Sequence, residues 1–125
     1  MPESEPAQTS PAPSSGARTW CLVTVDVDGA SARLLGDERE MLAALSRVLG
    51  DAAGGLAWVT HRFQPHGLSL LGAGPRLRVA VHTWPERHAA TIDLYGAVPE
   101  LTQLARRCGE SLAGAPEAAP SVVPA

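Results

Sequence analysis

The chain has 125 residues, 45% of them hydrophobic, and a formal net charge of −3. That is enough apolar material for one domain with one core, and too much for a chain disordered throughout. An acidic balance without a basic block excludes a nucleic-acid or anionic-membrane surface. Lysine is absent and all 10 basic residues are arginines, which excludes lysine-linked pyridoxal phosphate chemistry. Asparagine is absent too, so there is no N-glycosylation acceptor. Cys21 and Cys108 stand alone, outside any CxxC or zinc-ligand spacing, and read as two buried reduced thiols. No apolar run approaches membrane-spanning length and no signal core opens the chain, so the expectation is a soluble, cytoplasmic protein without a membrane partner.

Residues 1–18 read as a disordered tail, because a Pro/Ser/Ala-rich stretch cannot bury enough apolar surface to offset the entropy of ordering. The β-branched run Thr19 to Val27 predicts a first strand, and Asp28-Gly29-Ala30-Ser31 a turn. Asp37 opens a helix, with Glu40 as its partner in a capping box. Met41, Leu42, Leu45, Val48 and Leu49 follow at helical spacing, and Gly50 and Gly54-Gly55 end it.

Leu56 to Arg62 predicts a second strand, Gln64 to Gly67 a turn, and Leu68 to Gly72 a third strand. Arg76 to Thr83 alternates, with Leu77, Val79 and Val81 on one face and Arg76, Arg78, Ala80 and His82 on the other. Pro85 stops that strand. His88 to Tyr95 is a fifth, with Ala90, Ile92 and Leu94 facing one way. A second helix starts near Pro99 and buries Val98, Leu101, Leu104, Ala105, Cys108 and Leu112. Residues 114–125 are Pro/Ala-rich and read as another disordered tail, leaving 19–113 as the domain. The order β-α-β-β-β-β-α predicts an α+β fold, an antiparallel sheet with two helices on one face. A dimer can cover its other face.

Chemistry-bearing residues concentrate between positions 61 and 97. Four histidines lie there (His61, His66, His82 and His88), but their spacing matches no metal site, and no metal is expected. Three stretches carry more. Thr60-His61-Arg62-Phe63-Gln64-Pro65-His66-Gly67-Leu68-Ser69, Val81-His82-Thr83-Trp84-Pro85-Glu86 and Ala89-Ala90-Thr91-Ile92-Asp93-Leu94-Tyr95 resemble three motifs of the bacterial S-adenosylmethionine (AdoMet) decarboxylase proenzymes. The similarity runs from about Trp20 to Leu112 without gaps between the motifs.

The resemblance implies a four-layer αββα sandwich, formed by a dimer in which each protomer gives a sheet and two helices. It also implies a self-made cofactor: a glutamate–serine bond is cleaved by serinolysis, and the serine becomes a pyruvoyl group that serves as the electron sink for decarboxylation. Here that pair falls on Arg76-Leu77. Leu77 has no hydroxyl to attack the preceding carbonyl, so the cofactor expectation is none, with the pyruvoyl group absent. The histidine that usually follows the serine falls on Arg78, and the cysteine that acts as catalytic acid on Ala97.

Other positions match. Ser69 and His82 correspond to the serine and histidine that assist self-cleavage, Phe63 and Trp84 to aromatic positions near the nucleoside, and Glu86 to an acid for ribose hydroxyls. Arg76 and Arg78 favour a carboxylate or phosphate over cationic AdoMet. The expected function is therefore an AdoMet-decarboxylase-like protein, non-catalytic, that binds an AdoMet- or nucleoside-type ligand or regulates a partner. That partner is a second copy in a homodimer or a related protein in a heterodimer. The alternative is an enzyme of altered chemistry, with His82 or His61 as base and Glu86 or Asp93 as its partner. A genuine decarboxylase of spermidine (polyamine) biosynthesis, self-cleaved at another hydroxyl, is the third.

Overall fold

The computed structural model describes residues 19–50, 55–113 and 119–124. The tail expected over 1–18 and the helix stop expected at Gly54 lie outside them. In chain order the elements are β1 (Cys21–Asp28), α1 (Ala32–Leu35), α2 (Glu38–Leu49), β2 (Ala57–Arg62), β3 (Leu68–Ala73), β4 (Leu77–Trp84), a 3-10 turn (Pro85–Arg87), β5 (Ala89–Gly96), α3 (Leu101–Ala113) and β6 (Ala119–Pro124). The strands form one sheet in the order β2-β3-β4-β5-β1-β6, with every neighbouring pair antiparallel. No described helix is long and apolar enough to cross a membrane.

Alternation sets the layers. Val23, Val25 and Val27 of β1 are buried, as are Leu77, Val79 and Val81 of β4 and Ala90, Ile92 and Leu94 of β5. They meet Met41, Ala44, Leu45 and Leu49 from α2, and Leu101, Leu104, Ala105, Cys108 and Leu112 from α3. Each large side chain so buried contributes about 1.5–3 kcal/mol of transfer free energy. Leu42 and Val48, expected in the same helix face, are only partly buried against the core.

At the start of α2 the Asp37 side chain accepts from the Glu40 N–H at 3.0 Å. The reciprocal half of the expected capping box is not made, because the Glu40 carboxylate turns to the Arg33 guanidinium at 2.6 and 3.1 Å. That bond also holds the Arg33 pKa above its ordinary value. Helix α1 is an addition to the expected turn, capped by the Ser31 hydroxyl on the Leu34 N–H at 3.2 Å.

The tail expected over 114–125 is corrected at its end. Residues 119–124 form β6, which runs along β1 with Cys21 opposite Pro124 and Asp26 opposite Ala119. Without it the outer edge of β1 would leave a row of backbone groups unpaired. Prolines at 120 and 124 are compatible with a strand only at a sheet edge, which is where β6 lies.

Candidate functional site

The helices cover one face of the sheet and leave the other open. The site lies where the C-terminal end of β4 meets the β2–β3 hairpin. Gly67, at φ +105°, turns that hairpin, and its carbonyl accepts from the Phe63 N–H at 2.9 Å. Thr83 faces the core, with 4% of its surface exposed. Its hydroxyl donates to the Leu35 carbonyl at 2.9 Å and accepts from the Leu68 N–H at 2.9 Å. One buried side chain thus fastens α1 and β3 to β4 behind the site.

On the open face Ser69 lies opposite His82, and Ser69 Oγ sits 2.7 Å from His82 Nδ1. With the ring proton on Nε2, the serine hydroxyl donates to Nδ1. The pair opens on a hollow of ≈210 Å³ walled by Phe63, His66 and Trp84. Phe63 and Trp84 are 47% and 42% exposed, so both rings have free faces on which a flat ligand can stack. His61 packs edge-on against Phe63, with ring centroids 4.4 Å apart.

Phe63 and His66 are shared with a second cleft of ≈390 Å³, which Glu86 borders together with Arg33 and Arg62. Both arginines at that rim are partnered: Arg33 with Glu40, and Arg62 with Glu38 at 3.7 Å and the Gly36 carbonyl at 3.5 Å. Thr60 Oγ1 adds a bond to Glu38 at 2.8 Å, tying β2 to the start of α2.

The structure therefore brings Phe63, Ser69, His82 and Trp84 together, with Glu86 in the adjoining cleft. It does not bring Arg76 and Arg78 there, contrary to the expectation of a shared pocket. Four residues separate Arg78 from His82 along β4, about 13 Å at the rise of a strand. The Arg78 guanidinium donates to the Gly74 carbonyl at 3.1 Å and lies 5.6 Å from the Trp20 ring, which in turn stands 5.0 Å from Tyr95. Arg76 is exposed just before β4 begins, and its carbonyl accepts from the Ala97 N–H at 3.1 Å. Asp93 borders a shallow apolar hollow with Arg78, Val59 and Leu71 rather than serving His82. The partner of His82 is Ser69, not Glu86 or Asp93.

Leu77 lies opposite Gly96, so the positions that the resemblance gives to the cleaved serine and the acid cysteine do adjoin. Leu77 is fully buried on the helix side, and Ala97 is 8% exposed. His88 serves the backbone: at φ +55° it caps the 3-10 turn, and its Nδ1 bonds the Ala30 carbonyl at 3.0 Å. Among the described residues no three His, Cys, Asp or Glu side chains converge as a metal site. Two contributors went unread in the sequence. Thr83 carried a signal, since a hydroxyl in register with Leu77, Val79 and Val81 is a buried polar group that needs partners. Trp20, which holds Arg78, carried none.

A two-layer α+β domain with an antiparallel sheet, an open face and a Ser–His pair beside exposed aromatics defines the class. The profile described as S-adenosylmethionine decarboxylase matches residues 22–113, and the chain belongs to that family. An S-adenosylmethionine decarboxylase proenzyme from Pyrobaculum arsenaticum is 33% identical over 69 residues, 54% of this chain and 55% of that protein. A proenzyme of the same name from a Synechococcus strain is 38% identical over 37 residues, 30% of this chain and 29% of that one. The matches thus span about half or less of these curated relatives. The crystal structure of the adenosylmethionine decarboxylase from Aquifex aeolicus superposes with a TM-score of 0.71 at 20% identity, covering 84% of this chain and 88% of that one. That likeness establishes the fold.

Proposed function

We propose that this family member forms no pyruvoyl group and acts by binding, as a ligand-responsive or partner-regulating protein of the cytoplasm. The observation that carries the reading is Leu77. It offers no hydroxyl, it is fully buried, and the carbonyl such a hydroxyl would attack, that of Arg76, accepts from the Ala97 N–H at 3.1 Å. Ala97 likewise supplies no acid. The residues present do not fit a pyruvoyl cofactor.

The retained cleft supports a nucleoside-type ligand. Phe63 and Trp84 offer free ring faces, Ser69 and His82 a polar floor, and Glu86 a carboxylate for hydroxyls or a cation. A second sheet packed on the open face would complete the four-layer arrangement expected of the family. Intact mass should give one uncut chain of 13.0 kDa. Calorimetric titration with AdoMet and decarboxylated AdoMet should then show binding that Glu86→Ala weakens at least about tenfold, or 1.4 kcal/mol. Two fragments, one ending in a pyruvoyl group, would refute the reading.

The 2.7 Å Ser69–His82 bond favours a second reading, an enzyme in which His82 moves a proton for an altered substrate. A turnover lost in both His82→Ala and Ser69→Ala would establish it.

A further inference from the structure

Arg76 and Arg78 stand away from the cleft, yet the cleft has guanidiniums of its own. Arg33 of α1 and Arg62 at the end of β2 border its ≈390 Å³, a volume within the range of small-molecule sites. The other titratable side chains at its wall are His66 and Glu86. Asp37, Glu38 and Arg39 line an adjoining hollow that shares both arginines.

Arg62 is loosely held. The Glu38 carboxylate and the Gly36 carbonyl stand 3.7 and 3.5 Å from it, beyond the about 2.7–3.2 Å of a well-made N–H···O bond. Glu38 is better served by Thr60 Oγ1 at 2.8 Å, and Asp37 by the Glu40 N–H at 3.0 Å. Most donors of the Arg62 fork therefore lack a close acceptor among the described residues. Arg33 is chelated by Glu40, but both side chains of that pair are exposed, where solvent screens it and a doubly charged phosphate competes well. A third donor borders the same cleft. Gly67 is buried, and among the described residues its N–H has no acceptor. A buried N–H in that state is uncommon and calls for a partner.

Glu86 restricts what can bind, because it repels any anion set beside it. All these groups are satisfied when an anionic group reaches the arginines, hydroxyls meet Glu86, and a flat ring lies on Phe63. A nucleoside phosphate has those three parts in that order. A sulfonium in the place of the phosphate carries the wrong sign for the arginines.

We propose that the cleft takes a nucleoside phosphate, with the base on Phe63, the ribose hydroxyls on Glu86, and the phosphate on Arg62 and Arg33 beside the Gly67 N–H. The base and ribose contacts rest on the nucleoside cleft proposed above. The anion subsite, and its preference for phosphate over sulfonium, go beyond it.

Calorimetric titration of the full chain at low salt compares AMP, GMP, CMP and UMP with their parent nucleosides and with inorganic phosphate. At least one nucleotide should bind at least about tenfold more tightly than its nucleoside and than inorganic phosphate. The double variant Arg33→Gln, Arg62→Gln should erase that margin. If the double variant does not fold, Arg62→Lys decides: it keeps the charge but loses the bidentate fork, and should cut the margin by at least about threefold. Nucleosides bound as tightly as their phosphates would overturn the anion subsite and leave the nucleoside cleft standing. A margin that survives the arginine variants would seat the phosphate elsewhere and also overturn it. Inorganic phosphate bound as tightly as every nucleotide would reduce the site to an adventitious ion only, against the proposal. Binding of neither nucleoside nor nucleotide would overturn the subsite together with the nucleoside cleft.

Discussion

Replacing Thr83 with valine removes one hydroxyl and almost no volume, so it isolates the two buried bonds that hold the back of the cleft. Thr83 donates to the Leu35 carbonyl and accepts from the Leu68 N–H, each at 2.9 Å, at a position 4% exposed. Valine leaves one buried donor and one buried acceptor without partners, each costing about 1–3 kcal/mol. The expected loss of stability is therefore about 2–6 kcal/mol. For a domain of this size each kcal/mol lowers Tm by about 2–8 °C, so a fall of at least roughly 4 °C should follow. Urea titration should show a lower midpoint at an unchanged slope, the sign that stability and not the unfolded ensemble has moved. Thr83→Ser keeps both bonds and drops a methyl group, costing about 1 kcal/mol. A valine variant within about 0.5 kcal/mol of wild type, or a serine variant as damaged as the valine, would refute the bridging role.

Other outcomes follow from single contacts. A Cβ added at Gly96 would sit 2.5 Å from the Arg76 carbonyl, so Gly96→Ala should destabilise by about 1–3 kcal/mol and part the Arg76–Ala97 contact, seen as faster amide exchange at Ala97. Burial pushes the Cys108 thiol from 9.0 up to about 12, against a small opposing pull from Arg107. Its folded pKa exceeds the unfolded one, so its contribution is whole below the unfolded value and is lost as pH climbs from about 9 to about 12. Denaturation midpoints measured over that window should fall with pH, and Cys108→Ala should flatten the fall. In the native protein a thiol reagent at pH 8 should label the half-exposed Cys21 and spare Cys108 until denaturant is added. Arg78→Ala removes the guanidinium from above Trp20, and should shift tryptophan emission without changing ligand affinity in the distant cleft.

The sheet was legible because its strands alternate cleanly. Val23, Val25 and Val27, the Leu77–Val79–Val81 row and the Ala90–Ile92–Leu94 row all face the helices as their two-residue period requires. Pro85 and Gly67 marked where strands stop and turn. β6 was not legible, since Ala119, Pro120 and Pro124 argue against a strand, and only the need of β1 for a partner makes one. α1 is a four-residue helix, too short to show a period, and is held by one tertiary bond from Thr83. The Phe63, Ser69, His82 and Trp84 group was singled out by the family resemblance and not by strand patterning, and the structure gathers it at one strand end and one hairpin. Arg76 and Arg78 share a strand face with His82 but not its hollow, because residues four apart on a strand stand about 13 Å apart.

The direction in which Leu77 points also bears on any attempt to install a serine there. A serine at that position would lie in the core on the helix side of the sheet, not beside Ser69 and His82 at the other end of β4. The change would empty a filled part of the core, where trimming a leucine to a small side chain costs about 2–5 kcal/mol. A single Leu77→Ser substitution thus forfeits much of the fold's margin before it gains any chemistry, and the packing of one leucine holds that position shut.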